Sequence, residues 1–221
     1  MVKLMLALDI TDEKRGIEIS KEVSQYVDAI KIGYPLVLSS HLSIVGKIKE
    51  ITKKEVICDF KLADIPSTNE KIASLALKYG DGIICHGFLG EDSVRAVQEV
   101  AKRYSERGSY KKIIMVTEMS HKGAVQFIQP VAEELAKMAK RLRVDGVVAP
   151  STRPERLKTI KDIVGDIPVM SPGIGAQGGD LNKVLDILSE GDYIIVGRDI
   201  YESEDPAGRA QYYYNILREL R

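Results

Sequence analysis

Residues 59–66 read DFKLADIP and crowd Asp59, Lys61 and Asp64 into six positions, directly after the apolar run containing Val56 and Ile57. Two carboxylates around one ammonium suit a reaction that builds negative charge on carbon. The ammonium can supply both a positive field and a proton. Two further charges stand at comparable places: Asp9 closes LMLALD, and Lys31 lies near the end of DAIKIG. An array of Lys31, Asp59, Lys61 and Asp64 alternates in sign and can satisfy itself. Each Lys should then hold its proton more firmly and each Asp release its own more easily. At ~4 Å and an effective dielectric of about 20, one such contact is worth roughly 4 kcal/mol before desolvation is subtracted. A solvated strand end with scattered charges is the plainer alternative. Repetition at three successive apolar runs weighs against it, because unpaired charge beside a dry core is costly.

A second cluster lies near the C-terminal end of the chain. SPGIGAQGGD (171–180) carries four glycines and Pro172, and VGRD (196–199) follows the last apolar run. Backbone N–H groups in glycine-rich turns form anion sites. Gln177, Gly197 and Arg198 are therefore candidate phosphate contacts, although Arg198 in isolation also reads as half of a surface salt bridge. Ser120, in TEMSHKGA, can hydrogen-bond a substrate or simply cap a turn. His86 and His121 are acid–base candidates, but a lone His reads more readily as structural. Arg153, next to Pro154, reads as a helix start and stays outside the candidate set. No Ser-His-Asp or Cys-His order stands out. Cys58 and Cys85 form no CxxC pair and lack partners at zinc spacing, so they read as reduced core thiols and no metal site is expected.

The elements that must position these residues show in the hydropathy. Eight short apolar runs recur: 4–9, 28–33, 55–60, 81–86, 112–117, 145–150, 167–172 and 192–197. They are rich in Ile and Val, as strands buried on both faces of a parallel sheet are. Helical spacing fills the gaps, as in NEKIASLALKY and VAEELAKMAKRL. The rhythm predicts a single (β/α)8 TIM barrel over residues 1–221, a length that class commonly has. A solenoid would need a shared repeat consensus, and a doubly wound sheet would usually show G-x-G-x-x-G after its first strand; neither is present. In a closed barrel, catalytic groups sit at the carboxyl ends of the strands, where Asp9, Lys31, Asp59 and Lys61 fall. While the third strand stays extended, Asp59 and Lys61 share one face, and Cys58 and Phe60 point into the helix layer.

Lys plus Arg and Asp plus Glu are 32 each, so no overall field draws the chain to a nucleic acid polymer or an anionic membrane. The N-terminal stretch is unlike a signal peptide, and no apolar segment has membrane-spanning length. A cytoplasmic location is expected.

DFKLADIP, with LALD before it and SPGIGAQGGD and VGRDIY after it, resembles orotidine 5′-phosphate decarboxylase of the short microbial form, in the family's motif order and over nearly the whole chain. The D-x-K-x-x-D element alone is shared with Mg²⁺-dependent sugar-phosphate decarboxylases and synthases acting on 3-keto-gulonate 6-phosphate or hexulose phosphate. Ile65, Pro66 and Gln177 favour the orotidine enzyme. The resemblance implies conversion of orotidine 5′-monophosphate to uridine 5′-monophosphate and CO₂, the last step of pyrimidine nucleotide synthesis, with no cofactor. It implies that Lys61 protonates C6 while Asp59 faces the substrate carboxylate and Lys31 and Asp64 complete the array. Asp9 and Lys31 would hold ribose hydroxyls, Ser120 the pyrimidine, and Gln177, Gly197 and Arg198 the phosphate, with Thr68 and Pro172 also contacting substrate. It further implies a homodimer in which Asp64 and Thr68 come from the neighbouring subunit. Asp64 lies beyond its strand, so it need not fold back onto its own Lys61.

Overall fold

In a computed structural model, which describes residues 1–219, eight parallel strands form one closed barrel in sequence order. Positions 220 and 221 of the expected domain lie outside the described residues. The strands are β1 (Lys3–Leu8), β2 (Ala29–Gly33), β3 (Glu55–Leu62), β4 (Gly82–His86), β5 (Lys112–Val116), β6 (Gly146–Val148), β7 (Val169–Pro172) and β8 (Tyr193–Val196). Pairing of β1 with β8 closes the ring. Each lies inside its expected apolar run except β1 and β3: the former starts one residue early, and the latter extends to Leu62. A helix follows every strand, and several start on the residues that the sequence supplies for it. Asp12 accepts from Arg15 N to cap Glu13–Val23, and Pro66 opens Pro66–Ala76, where a missing N–H does no harm.

Strand alternation divides the core in two. Leu4, Leu6, Leu8, Ile30, Ile32, Val56, Cys58 and Phe60 pack outward with the helices. Met5, Ala7, Ala29, Ile57, Ile84, Ile114, Val116, Val148, Met170, Tyr193 and Ile195 fill the barrel interior. The next inward positions, two residues on, include Asp9, Lys31, Asp59, Pro172 and Gly197. The chemistry-bearing residues therefore form the layer directly above a dry plug. Cys58 and Cys85 are both buried free thiols, and burial pushes each up to about 12, which leaves them protonated and inert.

The opposite rim is set by a fourfold device. Asp28, Asp81, Asp145 and Asp192 each stand just before an even-numbered strand, and each carboxylate accepts from a backbone N–H of the odd-numbered strand before it. The donors are Leu4 at 2.9 Å, Val56 at 3.1 Å, Ile113 at 2.8 Å and Val169 at 2.7 Å. The strand starts are thereby locked in register, and the functional rim inherits that register through the strands. Among the described residues no helix is long and apolar enough to cross a membrane.

Asp145→Ala, which strips the acceptor from Ile113, should cost about 1–3 kcal/mol of stability in urea unfolding. Turnover per folded molecule should stay unchanged, and a loss of turnover would mean that the two rims are not separable.

Candidate active site

A cavity of about 630 Å³ opens at the carboxyl ends of the strands. Asp9, Lys31, Asp59, Lys61, Ser120, Pro172, Gln177, Gly197 and Arg198 all line it. Nine of the expected site residues thus meet in one space, drawn from six of the eight strand ends.

Asp59 is the centre of the charge cluster. Its side chain is 5% exposed and accepts from Lys61 Nζ at 2.7 Å through Oδ1, while Oδ2 accepts from Lys31 Nζ. Lys31, 7% exposed, also faces Asp9 at 3.9 Å. Burial alone would raise the Asp59 carboxyl, but the charges of Lys31 and Lys61 and their hydrogen bonds override it and hold it at about 2. Burial pulls the Lys31 ammonium down, yet Asp59 and Asp9 together raise it above the usual lysine value. A Cβ on Gly33 would stand 2.5 Å from Asp9 Oδ1, so any side chain there would push the Asp9 carboxylate out of place.

The regular extended backbone expected through Lys61 is not what is found. Lys61 has φ of +42°, in the left-handed region, and β3–β4 pairing shifts between Cys58 and Leu62. Such a conformation in a non-glycine residue costs about 1–3 kcal/mol and persists only where surrounding packing enforces it. Here the outward anchors are Phe60 and Leu62, both in the helix-layer core. The irregularity aims Lys61 at Asp59 from the inner side and leaves its side chain 34% exposed to the cavity.

Asp64 and Thr68 are not among the residues lining the cavity in the single chain. Asp64 is exposed, and its Oδ1 accepts from Ile65 N at 2.7 Å. Its backbone carbonyl accepts from Ser93 Oγ at 2.6 Å, which brings the first turn of the helix Glu91–Ser105 against it. The four-membered array expected from the spacing is therefore three-membered within one chain, with Asp9 as its outer neighbour.

At the other side of the mouth the glycine loop is folded on itself, with Gly179 N donating to Gly173 O at 2.9 Å. Gly173, Gly175 and Gly178 have φ of +121°, +73° and +78°. Gly175 has no room for a side chain: a Cβ would meet Asp199 Cβ at 2.7 Å. Asp199 in turn accepts from Arg209 Nε and Tyr213 Oη, each at 2.6 Å. The loop base is held from below, while Gln177 at its tip is exposed. Among the described residues no carboxylate pairs with Arg198, so the surface salt bridge considered for it does not form.

Of the histidines, His121 lines the cavity. His86 is pushed down to about 4 by burial and by Lys61, so it is neutral near pH 7, and its Nδ1 finds no hydrogen-bond partner among the described residues. Sequence reading passed over Met119, Thr152 and Tyr201, which also line the cavity. It also passed over Glu118, which stands two residues beyond Val116 and is buried against Arg153 and Arg156. No group of three or more His, Cys, Asp or Glu among the described residues is placed to hold a metal ion.

Residues 2–213 match the family described as Orotidine 5′-phosphate decarboxylase / HUMPS. The chain belongs to this family. It is 64% identical over 213 residues to an orotidine 5′-phosphate decarboxylase of Methanococcus maripaludis, covering 96% of each chain. It is 60% identical over 217 residues to that of Methanocaldococcus jannaschii, covering 98% of this chain and 99% of the relative. The crystal structure of the M. jannaschii orotidine 5′-monophosphate decarboxylase, complexed with the inhibitor BMP, superposes with a TM-score of 0.94 over 98% of this chain and 99% of that one. The Pyrococcus horikoshii enzyme, at 41% identity, gives a TM-score of 0.87 over 97% of this chain and 99% of that one.

Because the Asp59 carboxyl lies far below the usual carboxylate range, the stability it contributes is present above about pH 4 and is lost as pH falls towards 2. Asp59→Asn should flatten the stability-versus-pH curve in that window. An acid limb as steep as that of the wild type in denaturant unfolding at a series of pH values would show that Asp59 is not the group responsible.

Proposed function

We propose that the cavity decarboxylates orotidine 5′-monophosphate to uridine 5′-monophosphate, without a metal or organic cofactor. The observation that carries the reading is a partly exposed ammonium, Lys61, held by a buried carboxylate in the same cavity as a glycine loop and the guanidinium of Arg198, which has no carboxylate partner among the described residues. A nucleoside monophosphate with a carboxylate on its ring presents the matching groups: a dianion at one end and a reacting carbon at the other.

In the reaction the bond between C6 and the carboxylate breaks, its electron pair stays on C6, and CO₂ departs. Lys61 gives C6 a proton and is recharged from solvent. The ammonium stabilises the transition state more than the ground state, because its attraction grows as charge moves from the carboxylate to C6. Asp59, itself held by Lys31, aims that ammonium, Asp9 and Lys31 hold ribose hydroxyls, and Ser120 and Pro172 bound the pyrimidine. Gln177, Gly197 and Arg198 grip the phosphate. For a very slow uncatalysed reaction the site must supply something near the upper end of roughly 8–23 kcal/mol, more than one ion pair gives. The remote phosphate grip contributes by driving the glycine loop closed and excluding water.

The active form in this reading is a cytoplasmic homodimer, with Asp64 and Thr68 reaching the partner's cavity. Its support is the outward direction of Asp64 together with the exposed apolar side chains beside it. Ile65 is 63% exposed, and Phe88 and Leu89, on the loop that leads into the helix whose Ser93 bonds Asp64, are 50% and 39% exposed. The sugar-phosphate alternative within the family requires Mg²⁺ and makes the opposite prediction for a chelator.

The deciding experiment follows the loss of orotidine monophosphate by ultraviolet absorbance, with and without chelator. Steady turnover in both is expected, and inhibition by chelator would favour the sugar-phosphate reading. Lys61→Ala should lower turnover by at least about 10³-fold while phosphate-dependent ligand binding survives, and retained turnover would remove Lys61 as proton donor. Mixing Asp64→Asn subunits with Lys61→Ala subunits should regenerate activity, since a mixed dimer carries one intact site. No recovery despite demonstrated subunit exchange would place Asp64 in its own chain's site.

A further inference from the structure

The cavity wall after β5 and β6 is built around a carboxylate that no step above uses. Glu118 is fully buried. Its Oε1 accepts from Arg153 Nε at 3.1 Å and from Gln129 Nε2 at 2.9 Å, and its Oε2 accepts from Arg156 Nε at 3.0 Å. Arg156 reaches on to Glu133 at 3.0 Å. Arg153 also donates through Nη2 to the backbone carbonyl of Met119, and Thr152 Oγ1 donates to the carbonyl of Ser120 at 2.9 Å. Consecutive carbonyls of the loop after β5 are thus held by consecutive residues of the loop after β6. Met119, Ser120 and Thr152 all line the cavity.

A buried ion cluster is a poor choice for stability alone, since well-packed apolar residues serve as well. What it supplies is direction. A guanidinium fixed along one edge by a carboxylate presents its remaining N–H groups in one orientation, which a flexible ammonium does not. Among the described residues no hydrogen bond or ion pair joins Glu118, Arg153 or Arg156 to Gln177, Gly197 or Arg198, so the cluster's polar contacts fall on one side of the cavity.

We propose that Glu118 is a positioning residue for the ring-binding wall: through Arg153 it sets the backbone of Met119 and Ser120 against the pyrimidine and leaves the phosphate grip untouched. This rests on the reading of the cavity as an orotidine monophosphate decarboxylase. The test compares wild type, Glu118→Gln and Arg153→Lys in three measurements: kcat and KM for orotidine monophosphate, affinity for uridine monophosphate, and affinity for ribose 5-phosphate. Glu118→Gln keeps the shape but removes the charge that orients both guanidiniums. Its KM should rise and its uridine monophosphate affinity fall by about tenfold, as a misplacement of a fraction of an ångström produces. Ribose 5-phosphate affinity should not change. Arg153→Lys keeps a cation beside Glu118 without the fork, so it should show the same split and serves if Glu118→Gln does not fold. Equal losses for nucleotide and ribose phosphate, unchanged nucleotide affinity in both variants, or failure of both to fold would assign Glu118 to stability alone and overturn the inference. A wild type inert towards orotidine monophosphate would instead strike at the functional reading itself.

Discussion

A carboxylate withdrawn from water between two ammoniums is the constraint on which this active-site rim depends. Asp59 accepts from both Lys31 and Lys61, and Lys31 is almost as deeply buried as its partner. Neither charge is tolerable alone at that depth. Together they form a fixed field directly above the apolar plug of Ile57, Ala29 and Ala7. The low polarizability of that plug strengthens every interaction above it. The left-handed backbone at Lys61 belongs to the same arrangement, because the pull of Asp59 inside and the burial of Phe60 and Leu62 outside leave the residue between them little choice.

The barrel separates stability from chemistry by rim. At the amino-terminal rim, four aspartates each satisfy a neighbouring strand's N–H and set the register. At the carboxyl-terminal rim, the same register delivers charge to the cavity. The glycine loop is treated differently at its two ends: its base rests on Asp199, Arg209 and Tyr213, and its tip with Gln177 is exposed. A loop anchored at the base and free at the tip can close over a dianion without disturbing the barrel beneath it.

Much of this was legible in the order of residues. Eight apolar runs announced eight parallel strands, since a strand buried on both faces reads as continuous Ile and Val. Asp28, Asp81, Asp145 and Asp192, each just ahead of an even-numbered strand, are the register clamps, a role that only pairing across strands reveals. Asp9, Lys31, Asp59 and the glycine loop were found because charge and glycine are conspicuous against such runs. Glu118 was equally available, two residues beyond Val116, but a lone acid after a strand looks like any solvated strand end until the two arginines that bury it are seen.

Local periodicity determined which residues face inward, because a strand repeats every two residues whatever surrounds it. It also set the succession of charges along β1 to β3 and the presence of a glycine-rich loop near the end of the chain. Only the tertiary structure decided that the ring closes, so that Arg198 after β8 shares a cavity with Lys31 and Lys61 from strands more than a hundred residues earlier in the sequence. It also decided the left-handed turn at Lys61, the outward direction of Asp64 and the burial of Glu118. Each of these is set by contacts between segments distant in sequence, and no pattern within a single segment encodes what the other segment will bring.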